Sequence, residues 1–326
     1  MRTRIIAVVV AASLALAACG GDANESGPEG VAGPAPATTV PEPTPTDPAP
    51  PEPSPEPTAT SSPQPPPAEP APALALELTG LPVLDAPAVY EAWLILDGAP
   101  SSVGTFADPA VVQFAVATVE ASAVVITIET DDDPAPSATH VLAGPVVDGR
   151  ADLTVGDGAA IGVDFSTATG EYILATPTDG TGPPENERSG VWWTFIPRAQ
   201  SLVLPELPAG WIYEGWQIID GIPVTTGTFV SQFGAADDAA PYSGPQPGPP
   251  FPGEDFVANA PTGLLFPRDL RGTEVVISVE PVPDTDSGPF SLVPLRGVVP
   301  ADAVDHVAYP VENVAAAMPS GTATLG

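Results

Sequence analysis

Two histidines, one cysteine and 41 carboxylates, set against eight arginines and no lysine, are the side chains from which this 326-residue chain could build chemistry. A structural zinc site takes four Cys or His ligands. His140 and His306 have no H-x-x-x-H spacing and no Ser or Cys elbow beside them, so zinc and nucleophilic mechanisms find no footing. Asp131-Asp132-Asp133 and Asp284-Thr285-Asp286-Ser287-Gly288 gather the hard oxygens that calcium takes. Neither supplies the distal Glu of a calcium loop, and both read as solvated acidic turns. Glu91 and Glu214 stand in matching contexts and raise the thought of a catalytic pair. Acid and base would have to lie about 5 to 10 Å apart around a substrate, whereas these belong to separate copies of a repeat. No catalytic residue, metal ligand or cofactor site is expected, and the chain reads as a non-enzyme.

The charge balance also excludes a partner class. The formal charge is −33, and Arg150, Arg188, Arg198, Arg268, Arg271 and Arg296 are scattered singly, without the clustered cations that bind a phosphate backbone. Nucleic acid is not an expected partner. Pro (47) and Gly (31) far exceed ordinary usage, and both disfavour helix interiors, so the folded part is expected to be sheet and loop.

Arg2 and Arg4 precede an apolar run, Ile5 to Ala18, too short for a stable membrane span but suited to a signal-peptide core. Leu16-Ala17-Ala18-Cys19 resembles the bacterial lipobox. That resemblance implies removal of 1–18, diacylglycerol on the Cys19 thiol, and a mature chain held to the cell membrane or outer membrane on its extracytoplasmic side. Residues 19–73 then form a tether. Gly27 to Ala73 carries 18 Pro in 47 residues with no aromatic and no basic side chain, so it cannot bury a core. At roughly 3.1 Å per residue such a segment reaches about 150 Å when extended.

The elements that must position everything else begin near Leu74 and occur twice. Leu81 to Phe106 (LPVLDAPAVYEAWLILDGAPSSVGTF) and Leu204 to Phe229 (LPELPAGWIYEGWQIIDGIPVTTGTF) match at 14 of 26 positions without a gap, at a spacing of 123. Val124-Val125-Ile126-Thr127-Ile128-Glu129 matches Val275-Val276-Ile277-Ser278-Val279-Glu280 at a spacing of 151, so the second copy holds 28 more residues between the blocks. Tyr90 to Leu96 alternates as a strand does, and Asp97-Gly98 and Asp220-Gly221 are hairpin turn signals. The Val/Ile runs have the length and branching of central strands. Asp108-Pro109 could start a helix over Ala110 to Ala121, but the Val-rich stretch favours strand. Gly190 to Phe195 reads as the opening strand of the second copy. The expected fold is all-β, with two tandem β-sandwiches at 74–150 and 151–326, the second carrying an inserted Pro/Gly-rich loop and a C-terminal extension.

The order LP-x-L, Tyr-x-x-Trp, Asp-Gly-x-Pro, Gly-Thr-Phe and a Val/Ile strand ending in Glu resembles the C-terminal domain of anti-sigma-K factors, once over Leu74 to Gly144 and again over Ala151 to Val299. The resemblance implies extracytoplasmic β-sandwiches linked to sigma-factor regulation. Family members reach the cytoplasm through one membrane helix, where this chain has a lipobox and tether, so a regulatory role would need a partner. The family's usual Gln after the Tyr is Glu91 and Glu214 here. Tyr90, Trp93, Tyr213 and Trp216 are expected in the core because strand alternation demands a buried face. The unrepeated insert between Gln232 and Gly272 offers Phe251, Phe256 and Phe266 as candidate partner-binding residues, since long loops on rigid scaffolds often bind, or equally as the cover of a sheet edge.

Overall fold

The two blocks that repeat in sequence fold into two copies of one four-strand arrangement. The structure is a computed structural model; it describes residues 71–326 except 111, 131–133, 181–183, 197–198, 231–241 and 285. The signal segment, Cys19, nearly all of the tether and the Asp131–Asp133 run lie outside the described residues.

The chain runs through β1 (Ala73–Thr79), β2 (Val89–Leu96), β3 (Ala99–Phe106), β4 (Val112–Ala115), β5 (Ala123–Glu129), β6 (His140–Pro145) and β7 (Arg150–Thr154). It continues with β8 (Glu171–Leu174), β9 (Val191–Trp192), β10 (Thr194–Ile196), β11 (Ala199–Gln200), β12 (Trp211–Ile219) and β13 (Ile222–Phe229). The last strands are β14 (Gly253–Glu254), β15 (Glu274–Pro281), β16 (Leu295–Val298), β17 (Tyr309–Pro310), β18 (Glu312–Asn313) and β19 (Ser320–Leu325). The only helical elements among the described residues are 3-10 turns at Pro184–Ser189 and Ala315–Ala317. The fold is all-β, and every strand pairing is antiparallel. No described helix is long and apolar enough to cross a membrane.

The first copy contributes β3-β2-β5-β6 to an eight-stranded sheet, and the second contributes β13-β12-β15-β16 to a five-stranded one. The register repeats with the sequence. Tyr90 faces Phe106 and Ile128, while Tyr213 faces Phe229 and Val279. Both hairpins turn through left-handed Asp-Gly pairs, Asp97/Gly98 at φ 51° and 82° and Asp220/Gly221 at 53° and 82°, the geometry that a two-residue hairpin loop demands. Each hairpin also carries a bulge at the same place, with one extra residue in β3 and in β13.

The eight-stranded sheet is ordered β3-β2-β5-β6-β7-β19-β1-β4, so it takes its sixth strand from the end of the chain. Its inner face buries Leu74, Leu76, Tyr90, Ala92, Val124, Ile126, Leu153 and Ala323. The sheet rolls until its edge strands meet, with Phe106 of β3 and Phe114 of β4 at 6.3 Å between ring centres. Gly104 makes room for that meeting, because a Cβ there would lie 2.7 Å from the Phe114 ring.

The boundary expected at residue 150 is crossed twice. β7 begins at Arg150 and pairs with β6, and β19, some 170 residues later, lies between β7 and β1. One buried core runs from Leu74 to Leu325 through both copies, and the described residues form one unit. The reason is chain return: the extension after the second copy has nowhere to bury Ala323 and Leu325 except in the first sheet. Two smaller expectations also shift. Gly190 to Phe195 enters the four-stranded sheet β14-β9-β8-β17 and the β10-β11 pair, not the five-stranded sheet. After Asp108 accepts the Ala110 N–H at 2.9 Å, only Val112–Ala115 is strand, and Thr118 caps a further turn at Glu120.

Candidate functional site

The aromatic and glutamate side chains of the repeat face inward, while its Asp-Gly turns are exposed. Tyr90 donates its hydroxyl to the Pro82 carbonyl at 3.0 Å, and Tyr213 donates to Pro205 at 2.6 Å, so each tyrosine pins the Leu-Pro segment that opens its copy. Burial pushes both phenols well above the ordinary tyrosine range. On the other strand face Trp93 Nε1 donates to Thr127 Oγ1 at 2.9 Å, and Trp216 Nε1 donates to Ser278 Oγ at 2.8 Å. Each hydroxyl in turn donates a hydrogen bond to the glutamate two residues along, Thr127 to Glu129 and Ser278 to Glu280. The glutamate then accepts a backbone N–H from the following loop, Ser137 at 3.0 Å in one copy and Phe290 at 2.9 Å in the other. Indole, hydroxyl, carboxyl and loop thus form the same chain twice. This chain, invisible as a site in the sequence, is signalled there by the Trp, the Thr or Ser and the Glu recurring at the two spacings.

Glu280 is fully buried. Burial raises its carboxyl to about 8, opposed by the Ser278 and Phe290 hydrogen bonds and reinforced by the charges of Glu214 and Asp284. Glu91 and Glu214 are buried too, Glu91 accepting the Ser102 hydroxyl. They serve their own sheets. All five tryptophans are buried, so none offers a stacking platform to a sugar or base.

The insert in the second copy does not present its aromatic rings. Phe251 is buried, Phe256 fully so, and Phe266 is half-buried against the core. Phe256 lies 5.8 Å from Tyr242 and 5.4 Å from Phe266 between ring centres. The expectation of a partner-binding trio is therefore corrected: these rings attach the insert to the body. An acidic pair that the sequence reading passed over fixes the same segment. Asp255 accepts Thr178 N at 2.6 Å, Thr178 Oγ1 at 2.5 Å and Trp192 Nε1 at 2.9 Å. Glu254 accepts Ser243 Oγ at 2.6 Å, Asp255 N at 2.9 Å and Tyr242 N at 3.1 Å. Burial raises both carboxyls above their ordinary range while these donors partly offset it. Asp255 staples the insert to Thr178 and Trp192, while Glu254 ties the insert's own 242–243 stretch to it.

The remaining candidates stay local. His140 Nδ1 lies 2.8 Å from the Ala159 carbonyl, while His306 sits 3.2 Å from Asp305 and 3.8 Å from Glu187. Asp284 and Asp286 are exposed, and Asp286 N donates to Asp284 Oδ1 at 2.9 Å, an acidic turn as expected. Among the described residues no group of three or more His, Cys, Asp or Glu could hold a metal ion. Every described arginine is committed to a carboxylate: Arg150 to Asp152, Arg188 to Asp269 and Asp305, Arg268 to Asp220, Arg271 to Asp269, and Arg296 to Glu274.

Two open grooves stand out among the described residues. The larger, about 770 Å³, lies between the end of β7, the loop 162–166 and the crossover 313–319 that leads into β19. Asn313 fixes its walls, donating from Nδ2 to the carbonyls of Phe165 at 2.8 Å and Ala168 at 2.9 Å. The smaller, about 600 Å³, lies beside Phe290 and holds the Arg296–Glu274 pair in its lining. Fold and site together define a class: an acidic all-β body with a duplicated buried scaffold and open surface grooves. No family model matches the chain, and no curated protein or solved structure was found to match it.

Proposed function

We propose that the protein is a lipid-anchored extracytoplasmic docking module of the anti-sigma-K C-terminal kind, held off the membrane by its tether and working without bond chemistry. One observation carries the reading. The large and acidic side chains that the two copies share, Tyr90/Tyr213, Trp93/Trp216, Glu91/Glu214 and Glu129/Glu280, are all buried, the tyrosines, tryptophans and Glu129/Glu280 in matching internal hydrogen bonds. What was duplicated is thus a scaffold, and the work falls to the surface it carries. A link to sigma-factor regulation runs through a membrane-spanning partner that the docked body engages.

The docking reading expects no turnover when the purified protein is incubated with peptidoglycan and envelope glycans. Measurable, saturable hydrolysis would replace it with an envelope hydrolase. The anchor is tested separately by metabolic labelling with a fatty acid: the wild-type chain takes up label and partitions with membranes, and Cys19→Ala takes up none. Label retained by Cys19→Ala would refute the lipid assignment.

A further inference from the structure

We infer that the larger groove binds a basic peptide segment of a protein partner, with aliphatic side chains on the groove walls and a Lys or Arg at Asp164. The inference rests on the docking reading and names the chemistry of what docks. Val155, Val163, Phe165, Ala316, Met318 and Pro319 make the greater part of the walls apolar, beside the polar Thr154, Ser166 and Asn313. Asp164 is the one charged residue among the lining, and no cation lines the groove. Its carboxylate is exposed at the rim, and the Ser166 N–H, at 2.8 Å, holds it below the usual carboxylate range and hence ionised at neutral pH.

An anionic ligand would meet this carboxylate inside a chain of net charge −33 whose described arginines are already paired. A cationic one is attracted over the whole approach and then finds a fixed negative group beside apolar walls. The smaller groove lacks this complementarity, because its Glu274 and Arg296 satisfy each other at 3.2 Å. The larger groove has the size of a small-ligand or side-chain pocket, and the Asn313 bonds to two carbonyls across it preorganise its walls.

The test uses the mature lipidated protein in phosphatidylcholine nanodiscs at 0.15 M salt, about one Debye length of 8 Å, with fluorescent Leu-Lys-Leu-Lys-Leu-Lys as probe and Leu-Glu-Leu-Glu-Leu-Glu as its counterpart. The basic peptide is expected to bind and the acidic one not. Asp164→Asn is expected to weaken binding about threefold, the effect of one exposed ion pair, whereas Asp286→Asn, on an exposed loop that does not line the groove, leaves it unchanged. Ala316→Trp, which fills the groove from an exposed position, weakens binding more than about tenfold through lost wall contact. Equal weakening by Asp164→Asn and Asp286→Asn, or full binding by Ala316→Trp, would overturn the groove assignment in favour of diffuse attraction. A partner crosslinked in cells at another surface would also overturn it while leaving the docking reading intact; the absence of any protein partner would remove that reading itself.

Discussion

A chain that stops at Pro319 loses the first sheet. β19 faces β1 over six residue pairs and β7 over five, and it buries Ala323 and Leu325. Ala73 and Gly326 exchange both backbone hydrogen bonds, at 2.8 and 3.1 Å, and Leu325 N donates to Gly149 at 2.8 Å. Without β19 the β1-β4 pair is cut off from β7, and an isolated two-stranded unit is marginal in water. Loss of Leu325 burial alone costs about 1.5–3 kcal/mol, before the two ladders are counted. The milder Ala323→Asp places a carboxylate at a position 1 % exposed, at a cost of several kcal/mol. Hydrogen exchange is the measurement. Truncation is expected to remove protection from β1, β6 and β7, and a fragment 74–150 is expected to lack a cooperative thermal transition. A fragment that folds by itself would restore two independent tandem domains.

The second large effect is on pH dependence. Glu280 ionises at its ordinary 4.5 in the unfolded chain and at about 8 in the folded one. Below pH 4.5 both states hold the proton, and the group contributes no pH dependence. As pH rises from 4.5 to 8 the unfolded chain releases the proton and the folded chain keeps it, so stability falls across that window and the loss is complete above 8. The whole span is of order 5 kcal/mol. Glu280→Gln keeps a side-chain oxygen that can accept both the Ser278 hydroxyl and the Phe290 N–H, yet cannot ionise. Denaturant titrations at several pH values are expected to show the variant gaining on wild type between pH 4.5 and 8 by several kcal/mol. Glu254 and Asp255 titrate in both chains and cancel in the difference. A constant difference would show that Glu280 ionises normally in the fold.

The legible part of this protein was the part governed by local and repeated signals. Asp97-Gly98 and Asp220-Gly221 announce their turns because few other residues accept a left-handed backbone, and the Val/Ile runs announce central strands. The burial of Tyr90 and Tyr213 follows from strand alternation, whereas Trp93 and Trp216 are buried on the opposite face of strands covered on both sides. What escaped was long-range. Nothing in Ser320 to Leu325 says that its partners are Leu74 and Ala151's strand, because register between distant segments is set by the burial of both faces of the finished sheet. Phe251, Phe256 and Phe266 looked available because proline-rich loops usually lie outside. They are held inward through Asp255, whose donors Thr178 and Trp192 lie more than 60 residues away. Asp164 had no motif to mark it, and its place beside an apolar groove comes from the crossover into β19.

Whether the duplicated scaffold presents a docking surface outside the cell is decided by crosslinking the lipid-anchored protein in living cells and identifying the adducts by mass spectrometry. A discrete envelope protein, linked reproducibly to the 74–326 body and absent when Cys19→Ala releases the chain from the membrane, is the expected result. Adducts to wall polymer alone, with no protein recovered, would contradict it.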